Sequence, residues 1–212
     1  MPWSVAPYGM FANSSVAANN NARLIQSQLS SYGYSFNAIC AVLGNIGHES
    51  GYNPWCWQMQ GLTPSASDIL ASTDTYYINN STGHAYGLFQ FDPAGQYVNN
   101  VTAQTLVQFG VNFSDIAGNV DDGFAQVYYM NFLSGGYIPT AAYPLSFSDF
   151  KASTASVAYL TEAWMYNYER GTWNNQRVVN AEYWYNHLSP TPPTPGTYRK
   201  MPWIYYLKRR RR

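Results

Sequence analysis

Apolar residues recur along this chain mostly at helical spacing. From Ser15 to Ser31 the segment SVAANNNARLIQSQLSS sets Val16, Leu24, Ile25 and Leu29 on one side, and Gly33 stops it like a C-cap. Phe36, Ile39, Cys40, Leu43 and Ile46 then step by three and four. That spacing predicts an amphipathic helix from a Ser35 N-cap to about Glu49-Ser50-Gly51. Residues 51–85 are rich in Gly, Pro, Asn, Ser and Thr and read as a long excursion, with one short helix near Ser65–Ser72. Gly87-Leu88-Phe89-Gln90-Phe91 reads as a short strand or extended segment, stopped by Asp92-Pro93. Three further helices are expected at about Val120–Leu133, Thr154–Glu169 and Asn175–Leu188, the middle one carrying Val157, Leu160, Trp164 and Tyr168 at helical spacing. The predicted fold class is mainly α (α+β), with a small β element.

The domain reading follows from where these patterns stop. Residues 1–14 form a loose leader, and 15–188 form one domain with its own core. Residues 189–200 form a stiff, Pro-rich linker, and 201–212 an aromatic and polybasic tail. Composition supports a packed domain, since 46% of the 212 residues are apolar and only 10% are charged. Aromatic residues reach 17%, including 20 Tyr and 7 Trp. Such side chains stack on sugar rings as readily as they fill a core.

The net charge of zero hides an asymmetry, because seven of the 11 basic residues lie after residue 198 while all 11 acidic ones precede it. A nucleic-acid enzyme places its positive field on the folded domain, so neither DNA nor RNA is an expected partner. Cys40 and Cys56 are too few for a disulfide scaffold; either one bridge or two buried thiols fits them. No metal is expected, since His48, His84 and His187 lack ligand spacing, and no cofactor motif is present. No apolar run is long enough to span a membrane. The start Met1-Pro2-Trp3-Ser4 lacks the basic and apolar regions of a signal peptide, so delivery by another route is expected.

Glu49 is the residue with the clearest chemical promise. It continues the Leu43–Ile46 stripe, which turns it toward the core, and it sits at the negative end of a helix dipole. Apolar surroundings and the dipole both favour the neutral carboxyl, the form that can donate a proton to a glycosidic oxygen. His48 points about 100° away on the same helix and reads as solvated. Glu169 lies beside Arg170 and reads as its structural ion-pair partner.

Four stretches, in order, give this chemistry a context. Gly44-Asn-Ile-Gly-His-Glu-Ser-Gly-Tyr-Asn-Pro54 resembles the acid-bearing motif of phage tail lysozymes, and Ala85-Tyr-Gly-Leu-Phe-Gln-Phe-Asp-Pro93 resembles their "YGLxQW-x-P" segment. Ala163-Trp-Met-Tyr-Asn-Tyr-Glu-Arg170 is similar to their "NYERP" helix end, and Arg177–Leu188 to their closing helix. The resemblance spans about residues 15–188. It departs at Asp92, where Thr or Ser is common, and at Gly171, where Pro is expected.

The resemblance implies a lysozyme-like fold, with a cleft between the end of the Glu49 helix and the 87–91 segment. It further implies a peptidoglycan glycosidase with Glu49 as acid, carried on a virion or released from the producing cell. Asp74 is the first candidate for a second catalytic group, with Asp68 and Asp92 behind it. Gln90, Tyr86, Tyr168 and Trp55 are candidates for substrate binding. For Gln90 the alternative is an amide that caps a loop, and for Trp55 and Trp57 a core plug. A lytic transglycosylase or a non-catalytic wall-binding module remains an alternative. The Lys208–Arg212 tail suits anionic membrane or teichoic acid, another tail protein, or simple solubilisation.

Overall fold

A computed structural model describes residues 3–4, 6, 13, 15–56, 58, 85–93, 96–97 and 122–190. Among these, α1 spans Val16–Ser31 and α2 spans Phe36–Ser50, each opened as expected by a serine: Ser15 Oγ accepts from the Ala18 N–H at 3.0 Å and Ser35 Oγ from the Ala38 N–H at 3.1 Å. Gly51, in the left-handed region, closes α2. Then follow α3 (Asp122–Phe132), α4 (Phe147–Ala152), α5 (Val157–Trp164) and α6 (Gln176–His187). None of the described helices is long and apolar enough to cross a membrane.

The chain is mainly helical, and two expectations need correction. Residues 87–91 are not a strand: Gly87 at φ +84° and Gln90 at φ +46° turn the backbone too sharply for extended chain. Among the described residues, Tyr86 and Phe91 pair alone, exchanging bonds of 3.2 and 2.9 Å across one antiparallel bridge. The helix expected over 154–169 begins later, behind the Ser156 cap, and changes character at its end. Met165–Glu169 forms a π-turn in which the Arg170 N–H reaches back five residues to the Met165 carbonyl at 2.7 Å.

Helix α2 is the centre of the core. Eleven of its 15 residues are buried, among them Ile39, Leu43 and Ile46, and it packs chiefly against α6 and then α5. Gly44 lets α6 approach closely, since a Cβ there would lie 2.5 Å from both Ala181 Cβ and the Arg177 carbonyl oxygen. Beyond α2, Tyr52 is fully buried, donating to Asn13 Oδ1 at 2.6 Å and accepting from Trp184 Nε1 at 2.6 Å. Trp3 is buried edge-on against Phe124. Cys40 and Cys56 are both buried and form no disulfide with each other, and burial pushes each thiol up to about 12.

Candidate active site

The last turn of α2 carries the site. Asn45, fully buried, donates to the Ala41 carbonyl at 3.0 Å and to the Thr161 carbonyl of α5 at 3.2 Å. Its Oδ1 thereby faces α6 and accepts from Arg177 Nη1 at 3.0 Å. One turn further on, Glu49 Oε1 meets Arg177 Nη2 at 2.5 Å, with the arginine side chain 3% exposed and the glutamate 19%. Charge-assisted bonds of this length are strong, and a buried guanidinium without its carboxylate would be costly. The apolar setting anticipated for Glu49 is thus only part of its surroundings: a full positive charge rests on it.

Glu169 is the second carboxyl of this neighbourhood. It accepts from Trp164 Nε1 at 2.8 Å and lies close enough to Glu49 and Arg177 to feel both. Burial, and then the negative charge of Glu49, raise its proton affinity to about 8; the Trp164 bond and Arg177 act in the opposite sense. It makes no ion pair with Arg170, whose guanidinium turns away to the Gly136 carbonyl. The expected Glu169–Arg170 pair is therefore replaced, because the π-turn and the left-handed Arg170 (φ +55°) send the two side chains in different directions. His48 is half-buried rather than solvated, its Nδ1 enclosed without a partner. Burial, with Arg177 nearby, depresses its proton affinity, and Glu49 partly offsets this.

One loop is pinned beside the end of α2, and a second is held by the π-turn. Ser50 Oγ donates to the Leu88 carbonyl at 3.1 Å, which pins the 86–91 turn to the end of α2. Gln126 of α3, fully buried, accepts from the Leu88 N–H at 2.6 Å and donates to the Pro54 carbonyl at 2.6 Å. Phe89 packs on Trp164 and Tyr168, joining that turn to the π-turn. Asn167, inside the π-turn, accepts from Thr140 N and Oγ1 at 2.9 Å each and donates to Tyr137 Oη and the Tyr143 carbonyl at 3.0 and 2.9 Å. That saturates its amide and fixes the 137–143 loop.

The proposed substrate-binding residues fare unequally. Tyr168 stays half-buried near the site, stacked on Trp164 at 4.6 Å with its hydroxyl 3.4 Å from Ser134 Oγ. Gln90 Nε2 donates to the Cys56 and Gly87 carbonyls at 3.0 Å each, the loop-capping role rather than a free recognition amide. Tyr86 has no exposed surface and Trp55 only 4%, so both belong to the core instead. Asp92 is exposed, and Asp68, Asp74, Trp57, His84 and Lys208–Arg212 lie outside the described residues. Among the described residues no group of His, Cys, Asp and Glu could hold a metal ion. Arg177 and Asn45 were missed as site residues. One signal was available: Arg177, Ala181, Trp184 and Leu188 form a stripe at helical spacing that an arginine leads.

Compared with known proteins, the chain is 28% identical over 173 residues to Morphogenesis protein 1 of Bacillus phage B103. The match covers 80% of this chain but 39% of that relative, so the chain spans about two fifths of the relative's length. Residues 20–188, which include the whole Asn45–Glu49–Arg177 network and Glu169, match phage tail lysozyme, and the chain belongs to that family.

Proposed function

We propose that this protein is a muramidase that cuts the β-1,4-linked glycan strands of bacterial peptidoglycan, with Glu49 as its acid. The observation that carries the reading is Glu49 itself: a partly open carboxylate at the exit of an otherwise buried helix, oriented by a buried arginine. Such placement suits a group that must meet a large polymer outside the protein while its position is fixed from within. Protonated, Glu49 hands a proton to the leaving sugar oxygen; as an anion it steadies the positive charge that develops on the ring. Asp74 is the proposed second group, with Asp68 and Asp92 as substitutes. Membership of a phage tail lysozyme family, and a relative named for morphogenesis, support a place in the virion, where the enzyme opens the wall locally.

The test is dye release from purified cell walls by the wild type and by Glu49→Gln. The amide keeps an oxygen for Arg177 but cannot supply the proton, so release by folded protein should fall by about 100-fold or more. The melting temperature should fall as well, because the buried guanidinium loses its counter-charge. Mass spectrometry of the fragments then identifies the chemistry, since reducing ends mean water was the acceptor and anhydro ends mean transglycosylation. A wild type that binds walls without releasing fragments overturns the proposal.

A further inference from the structure

The outer side of the π-turn carries aromatic rings that the core does not absorb. Tyr166, in that turn, is 41% exposed, and Tyr143 and Trp173, which both lie against it, are half-buried. The three planes are nearly parallel. Tyr143 and Tyr166 differ by 9° with centroids 5.2 Å apart, and Tyr166 and Trp173 by 16° with centroids 6.3 Å apart. Rings in full face-to-face contact would be about 3.5 Å apart, so these are displaced sideways by about 4–5 Å and leave part of each face uncovered. Tyr159 closes the Tyr143 end, tilted by 48° at 5.5 Å.

Interior bonds set this group in place. The fully buried Asn167 donates to the Tyr143 carbonyl at 2.9 Å, while its chain neighbour Tyr166 stays at the surface. Tyr143 Oη donates to Glu162 Oε2 at 2.5 Å, which fixes the far end of that ring. Aromatic side chains held in this way lose little freedom when a ligand covers them. The group is also continuous with the site. Gly171 borders the Glu49–Arg177 pair, since a Cβ there would lie 3.8 Å from the Arg177 Nη2 that meets Glu49. Trp173 is two residues further on, a length of chain that spans at most about 7 Å.

We propose that Tyr143, Tyr166 and Trp173 form a platform that binds the peptidoglycan glycan strand beside the point of cleavage. Sugars in a β-1,4-linked strand point their substituents outward around the ring and present C–H faces, which flat aromatic rings cover well. Thr172 and Asn174, exposed on either side of Trp173 in the chain, add polar groups for hydroxyl and acetamido partners. Charge favours the same ligand. The ionisable side chain bonded to the platform is an acid, Glu162, and Arg170, the nearest cation along the chain, is turned to the Gly136 carbonyl. A phosphate-rich polymer or lipid surface is repelled by such a face, whereas a neutral N-acetylated strand is not.

The platform rests on the proposed glycosidase reading, and the experiment separates the two claims. Lysis rates against wall concentration are recorded for the wild type, Tyr166→Ala, Trp173→Ala and Tyr166→Phe, with melting temperatures. Binding to the same walls is measured by sedimentation. Each alanine variant should raise the half-saturating wall concentration by about tenfold and change the maximal rate by less than about threefold. Sedimentation should weaken in parallel, and Tyr166→Phe, which keeps the ring, should match the wild type. Half-saturation unchanged in folded alanine variants overturns the platform and leaves the proposed function standing. A wild type that binds walls without lysing them overturns the proposed function, and sedimentation of the alanine variants alone then decides the platform. Walls stripped of teichoic acid should bind as intact ones do; binding lost on stripping overturns the choice of glycan. Should an alanine variant fail to fold, NMR of the wild type with a β-1,4-linked N-acetylglucosamine hexamer decides. Shifted ring signals of Tyr166 and Trp173 support the platform, and signals unmoved at saturating hexamer overturn it.

Discussion

Replacing Gly44 by alanine adds a single methyl group where α2 and α6 are closest. That carbon would lie 2.5 Å from Ala181 Cβ and 2.5 Å from the Arg177 carbonyl oxygen, whereas unstrained carbon contacts are about 3.5–4.0 Å. Neither obstacle is the tip of a flexible side chain, so the two helices must move apart by about 1 Å. Overpacking of this kind costs about 1–3 kcal/mol, and the better helix propensity of alanine returns at most about 1. With two contacts as short as 2.5 Å the cost falls in the upper part of that range, about 2–3 kcal/mol, so the net loss is about 1–2 kcal/mol and the melting temperature lower by about 2–8 °C for a domain of this size. The shift also carries Arg177 away from Glu49, because the crowded carbonyl belongs to the same residue. Circular-dichroism melting and dye release should therefore decline together. A melting temperature equal to or above the wild type would refute the close-packing argument.

Further outcomes follow from other contacts. Tyr52→Phe strands the buried Trp184 Nε1 and Asn13 Oδ1, and chemical unfolding should report a loss of about 1–3 kcal/mol. A stability unchanged within error would mean that water replaces the hydroxyl. Glu169 also gives stability a pH dependence: its proton affinity rises on folding from the ordinary 4.5 to about 8, so the folded state binds more protons in that window. Its contribution is present in full below about 4.5 and is lost as pH rises through about 8. The melting temperature should decline across that range in the wild type and less steeply in Glu169→Gln. His48 works the other way, since its lowered proton affinity withdraws stability as pH falls below 6.5; comparing the two proteins cancels its share.

What the sequence revealed depended on the range of the interaction concerned. The starts of α1 and α2 were legible because a serine cap and a periodic stripe are written within a few residues of each other. Helix α4 was missed because six residues barely complete one and a half turns, too few for a period to declare itself. The 87–91 segment misled because Leu88, Phe89 and Phe91 make an apolar run, while the deciding angle belongs to Gln90, a residue that rarely adopts positive φ. The place of Glu49 at the inward-facing end of α2 was legible from the helix stripe, and its proposed role came from the motif resemblance. Its partner was not legible, since Arg177 is 128 positions away and only the packing of α6 on α2 brings them together. Asn45 was hidden for the same reason, its value lying in simultaneous contact with α5 and α6.

The five-residue step at Met165–Glu169 makes the register of this segment unusually sensitive to chain length. A four-residue repeat through the same stretch would advance every later side chain by about 100° around the axis. Glu169 would then leave the indole of Trp164, and Arg170 would lose the reach that carries it to Gly136. A shortening by one residue here would thus unseat a carboxyl without altering any residue that touches it, whereas conservative replacements on the outer face, such as at Tyr166, would be absorbed.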